Sequence, residues 1–148
     1  MQSKVLNESA ELTIAVVFNS DEEVAEGLRK LAGELNLTAA RFTGIGALSR
    51  AVLGFFDPER REYREIKIDE QVEVLSMIGN FAMEDSQKKV HAHMVVGKSD
   101  GSAHGGHLLQ AWVRPTLELL IVESPNFLAR KMNPSIGLPL IDLNEGWV

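Results

Sequence analysis

Cysteine is absent from the chain, so it has no disulfide framework, no thiolate zinc site and no cysteine nucleophile. Any metal must be held by imidazole, carboxylate or water. Positive charge is the scarcer sign: 15 Lys and Arg stand against 21 Asp and Glu, a net charge of −6 that repels phosphate backbones and acidic membranes. Long apolar runs are missing too, the longest being strand-sized stretches such as 13–18 and 117–122, too short for a membrane-spanning helix. The amino-terminal stretch carries Glu8 and Glu11, lacks a basic start and a small-residue cleavage site, and does not read as a signal peptide, so the protein is expected in the cytoplasm. Aromatic residues make up only 6%, yet hydrophobic residues reach 45% and are spread from end to end, which excludes a wholly disordered chain. A length of 148 residues leaves room for one domain, 1–148, with a core over about 12–123.

After the β-rich run 13–18, Asn19-Ser20-Asp21 opens a helix, with Ser20 placed to cap and Glu23 three residues on to complete a capping box. Val24, Leu28, Leu31 and Leu35, flanked by Ala25 and Ala32, form one apolar stripe, and Asn36 sits where a left-handed C-terminal residue belongs. Strand patterns follow at 39–45, 49–56, 63–68, 72–83, 90–96, 107–113 and 117–122, separated by short turns. Short connections favour antiparallel neighbours, so the expected fold is α+β: a largely antiparallel, barrel-like sheet of about seven strands under one amphipathic helix. Residues 124–148 hold three of the five prolines and little periodicity, and are expected to form an extended tail on the body or on a neighbouring subunit.

All four histidines, His91, His93, His104 and His107, fall within 17 residues. His91 and His93 are two apart in a strand, so both rings project from one face. Asp100-Gly101 suits a two-residue turn, which in plain register leaves His104 on the His93 face near the turn and points His107 away. A bulge at Gly105-Gly106 would flip the parity and bring His107 beside His93, so that His91, His93 and His107 converge on an open three-nitrogen site for zinc or a similar divalent ion. The same histidines also fit ordinary sheet and loop residues hydrogen-bonded to backbone. Glu118 is the first candidate for an acid–base partner, although its alternation with Leu117 and Leu119 equally fits a solvated strand position. The Thr43-Gly44-Ile45-Gly46 stretch lacks the third glycine and the Lys-Ser/Thr pair of a phosphate cradle and reads as a bulge or a tight strand crossing.

Taken in order, Thr43-Gly44-Ile45-Gly46-Ala47-Leu48-Ser49, Glu73-Val74-Leu75-Ser76, His91-x-His93, Asp100-Gly101, Gly105-Gly106-His107-Leu108 and Pro115-Thr116-Leu117-Glu118 resemble the PPC domain (plants and prokaryotes conserved), also called domain of unknown function 296. The resemblance implies an α+β fold, a homotrimer and a metal-associated triad carried over to His91, His93 and His107, with His104 at a variable position. It also brings a DNA-binding label, because plant members join this domain to AT hooks that enter the minor groove. This chain has no Arg-Gly-Arg core of that kind, and its basic pairs Arg60-Arg61, Lys88-Lys89 and Arg130-Lys131 are separated by acidic stretches and read as solvated turns. A fold-level analogy to acetolactate decarboxylases suggests small carbonyl or carboxylate substrates, with Arg41 and Arg114 as candidate anion clamps. The leading expectation is a metal-binding trimer with a small-molecule binding or catalytic role. The alternatives are a DNA-binding regulatory module and an oligomeric scaffold with structural histidines.

Overall fold

The computed structural model describes residues 2–7, 11–124 and 128–142. Nine strands and one helix succeed one another: β1 (Gln2–Asn7), β2 (Thr13–Asn19), α1 (Val24–Glu34), β3 (Ala39–Asp57), β4 (Glu62–Ile68), β5 (Val72–Glu84), β6 (Gln87–Gly97), β7 (Ala103–Glu123), β8 (Ala129–Asn133) and β9 (Leu138–Asp142). The strands form one sheet, antiparallel except for a single parallel pairing of β5 with β8 at Met83 and Ala129. This is the expected α+β class.

The helix starts differently from its sequence signature. Glu23 itself is the cap, accepting from the amides of Ala25 and Glu26, whereas the Ser20 hydroxyl donates to the Pro115 carbonyl. The longer Glu side chain can reach the free amides of the first turn and still accept from Ala111 N at 2.9 Å, which ties the helix start to β7. At the other end Asn36 adopts φ +54, as its position predicts. Val24, Ala25, Leu28, Leu31 and Ala32 are buried, and they pack with Phe18, Leu48, Leu53, Val113 and Leu117 of the sheet's inner face into one apolar core.

Two pairs of predicted strands are single long strands. β3 runs through Gly44 and Gly46, where its register against β5 shifts and the chain bends without leaving the sheet. A Cβ at Gly46 would lie 2.4 Å from the Thr116 carbonyl oxygen, so this glycine lets β3 lie tight against its neighbour β7 where their register shifts. In β7 the Arg114–Pro115 peptide is cis, and the strand continues past it. Length and bending let the pairings run in a circuit. Thr43 of β3 faces Ile78 of β5, Ile78 faces His93 of β6, His93 faces His107 of β7, and His107 faces Gly54 further along β3.

The described part of the expected tail is the β8–β9 hairpin, its turn held by Asn133, whose side chain accepts from the amide and hydroxyl of Ser135, and by Gly137 at φ +81. The hairpin continues the sheet beyond β5. Residues 125–127 and 143–148 of that tail lie outside the described residues. Among the described residues no helix is long and apolar enough to cross a membrane.

Candidate metal centre

His91, His93 and Val95 alternate along β6 with the buried Ala92, Met94 and Val96, so both rings stand on the face turned away from the core. The third ring arrives through the turn. Between Lys98 and Ser102 the chain makes a three-residue loop: Gly101 N donates to Lys98 O at 3.0 Å, Lys98 N donates to Ser102 O at 2.9 Å, and Gly101 takes φ +83. Asp100 closes it by accepting from the amide and hydroxyl of Ser102. The loop is therefore not the predicted two-residue turn. Its odd length supplies the parity change that the sequence reading assigned to a glycine bulge. Gly105 and Gly106 instead stay in regular register opposite Val95 and Met94, and His107 sits directly across from His93. The same shift turns His104 to the opposite face, across from buried Val96. Gly106 has a different role: a Cβ there would come within 2.9 Å of the Gly54 carbonyl oxygen, so its absence lets β3 and β7 close up behind the site.

One ring nitrogen from each of His91, His93 and His107 lies within 4.8 Å of the others. The Nε2 atoms of His91 and His93 are 3.2 Å apart. Zinc–nitrogen bonds of about 2.0–2.1 Å place two ligands of a tetrahedral ion about 3.3–3.4 Å apart, so this edge already has the right length. His107 Nδ1 is buried without a hydrogen-bond partner, a polar atom that the protein alone leaves unsatisfied. Burial, then the neighbouring imidazoles and Arg130, pushes the His107 pKa down to about 4, and burial followed by Arg130 and His93 lowers that of His91. Neutral imidazole is the form that binds metal, and near pH 7 His107 is neutral. The residues fit a divalent ion.

The surroundings were largely invisible in the sequence. Tyr63 of β4 stacks on His107, ring centroids 4.8 Å apart and planes 24° from parallel. Gly54 makes this possible, since a Cβ on it would strike the tyrosine ring at 2.7 Å. Arg130, read from the sequence as half of a solvated basic pair, is a buried residue of β8. Its Nη2 donates to Asn80 Oδ1 at 2.9 Å and to His91 Nδ1 at 3.1 Å, and its Nη1 donates to the Pro139 carbonyl at 3.2 Å. Because arginine only donates, this contact makes Nδ1 the acceptor in the metal-free His91 ring, and a metal taken by Nε2 would move the ring proton to Nδ1 and break the contact. A cleft of about 630 Å³ opens over the three rings, walled by Phe55, Phe56, Val90 and Leu138, with Glu84 and Lys89 among its polar lining. The turn signal Asn133-Pro134 to Gly137 marks the hairpin that delivers Arg130, but nothing in the local pattern says which sheet edge it joins.

The other predicted site residues do not meet the histidines. Glu118 is exposed on β7 opposite Val17 and Ile45, lining a separate cleft with Thr43, Ser76 and Ile78. Arg41 is exposed on the outer face of β3, across from Asn80. Arg114 is exposed beside the cis peptide, where its carbonyl accepts from Gln71. Their spacing along the chain could not reveal this: β5 lies between Arg41 on β3 and His93, and Glu118 shares β7 with His107 but sits at its far end, paired with β2 and β3 instead of β6.

A nine-stranded α+β sheet with an outward three-histidine cluster defines the class of protein. The chain belongs to the Plants and Prokaryotes Conserved domain family, whose model matches residues 6–125. A candidate DNA-binding protein from Bacteroides thetaiotaomicron is similar in structure at TM-score 0.87 and 27% identity, over 97% of this chain and 99% of that one. A protein from Archaeoglobus fulgidus described as metal-containing is similar at TM-score 0.81 and 29% identity, over 94% of this chain and 95% of that one. A Staphylococcus aureus protein described as similar to alpha-acetolactate decarboxylase shares the fold alone, with 14% identity and TM-score 0.55 over 82% of this chain and 53% of that one. None of the curated proteins matches the chain in sequence.

Proposed function

We propose that this chain forms a small cytoplasmic homotrimer that holds a divalent metal ion, zinc first among candidates, on His91, His93 and His107, and that the ion serves a small-molecule binding or catalytic role in the cleft above it. The observation that carries this reading is the three ring nitrogens gathered within 4.8 Å, two of them 3.2 Å apart. The metal-containing Archaeoglobus relative supports it. With three protein ligands an ion keeps an open position, and when bound it would supply Lewis acidity toward an oxygen placed there. The chain's own part is to orient the rings: the odd loop after β6 sets His107 against His93, and Tyr63 covers one face of His107. The circuit of pairings behind the site supports a barrel-like closure of the sheet.

Elemental analysis tests the reading. Purified protein is expected to carry one ion per chain, and the double variant His91→Ala, His93→Ala to lose it; equal metal content in the two would remove the site.

DNA binding is the second reading, favoured by the description of the Bacteroides relative. Against it stand the net charge of −6, the burial of Arg130, and ion pairs that join Arg60 to Asp57 and Glu62. A gel-shift titration in which binding survives physiological ionic strength would reverse the ranking.

A further inference from the structure

Among the described residues Arg130 is a buried cation with no anion beside it. Its guanidinium carries a residue only 8% exposed, and its three partners are an amide oxygen, a carbonyl oxygen and an imidazole nitrogen, all neutral. Among the described residues no carboxylate comes within ion-pair distance of it. Glu84, on the rim of the same cleft, favours the charged form only from a distance, and burial opposes it more strongly. A buried charge without a counter-charge is costly, and the hydrogen bonds alone do not require a charge.

Arg130 is also oddly placed for a metal site. A metal-bound imidazole ordinarily donates its second nitrogen to an acceptor, whereas here a cationic donor points at His91 Nδ1. An arginine that opposes a cation on the neighbouring ring makes physical sense if a negatively charged group joins them, cancelling both charges. The walls of the cleft say what else that group carries: Phe55, Phe56, Val90, Leu138 and Leu140 offer an apolar surface within about 630 Å³. A bare, heavily hydrated phosphate would waste that surface, and an acid with an apolar body would use it.

We propose that the histidine cleft binds a small organic carboxylate, its charged end held by Arg130 beside His91 and its apolar body lying against Phe56, Val90 and Leu138. The proposal rests on the reading of this cleft as a ligand site, but not on the presence of a metal, since the guanidinium charge is there either way.

Calorimetric titration of the full chain with benzoate, and with benzamide as its neutral counterpart of the same shape, tests it. Both are titrated into zinc-loaded protein and into protein stripped with chelator. Benzoate is expected to bind about tenfold more tightly than benzamide in both forms, and Arg130→Gln to lose about tenfold in benzoate affinity while its circular dichroism is unchanged. Arg130→Lys, which keeps the charge, should retain part of the preference. Benzamide binding as well as benzoate would overturn the proposal with no variant needed, as would undiminished benzoate binding to folded Arg130→Gln or tighter binding of inorganic phosphate. Failure of the metal reading is seen separately, as wild-type protein that takes up no zinc yet still selects benzoate through Arg130.

Discussion

His107 is where single-residue chemistry sets a measurable property of this protein. Its ring is wedged between Tyr63 and the other two histidines, and burial holds its pKa at about 4 against the ordinary 6.5. Between those values an unfolded chain binds a proton that the folded one refuses, so acid favours unfolding. The stabilisation is fully present above pH 6.5, shrinks as pH falls, and is gone below about 4. His91, shifted in the same direction by burial, Arg130 and His93, adds to the loss as pH falls below its ordinary value. Metal-free protein is therefore expected to lose thermal stability from pH 6.5 to pH 4 more steeply than His107→Phe, which keeps an aromatic ring against Tyr63 and has no proton to gain. Equal slopes in thermal melts would remove His107 as the cause.

At the scale of elements, two short stretches decide where long ones go. The loop Ser99-Asp100-Gly101 has an odd number of residues, and because side chains alternate along a strand, one residue more or less would move His107 to the core face. The start of α1 is the other. Glu23 accepts from three backbone amides, two in the helix and one in β7, so its carboxylate both caps the helix and anchors it to the sheet. Glu23→Ala should cost about 1–2 kcal/mol, read as a lower urea midpoint at unchanged slope, and Glu23→Gln should recover part of it with its single acceptor oxygen. A variant as stable as the wild type would mean that water replaces the carboxylate without loss.

For the whole molecule, the outer face of the sheet raises the question of what covers it. Ile45 is 62% exposed, Ile78 57% and Leu120 52%, and Val17 joins them around Thr43 and Glu118. An apolar patch of this kind on a sheet marks an interaction surface. Leu120, Thr43, Ile78 and His93 lie in one cross-strand row, so whatever covers the patch ends close to the histidines. The proposed homotrimer would bury it. Sedimentation analysis is expected to give three times the chain mass for the wild type and a monomer for the pair Ile45→Glu, Leu120→Lys; a wild-type monomer would refute the assembly. A double variant that loses oligomer and zinc together would move the ion to a structural role.

Period and composition were enough to place the helix, the alternating strands and the shared face of His91 and His93, because these follow from backbone geometry within a few residues of chain. The absence of cysteine leaves imidazole, carboxylate or water as the metal donors whatever the fold. Gly44 and Gly46 read in the sequence as a bulge or a tight crossing, and the structure has a register shift there; the motif order pointed to the family. What it could not reach depends on contacts between distant segments. The parity change at His107 comes from a three-residue loop and not from the bulge the double glycine suggests, since a turn's length shows only in its hydrogen bonds. Arg130 reads as a surface residue until the last hairpin docks on β5 and brings it beside His91, and Glu118 reads as a partner until β7 carries it past the rings to a stretch paired with β2 and β3. Alternation along a strand is local and legible, whereas which strand lies next to which is decided by the packing of the whole chain.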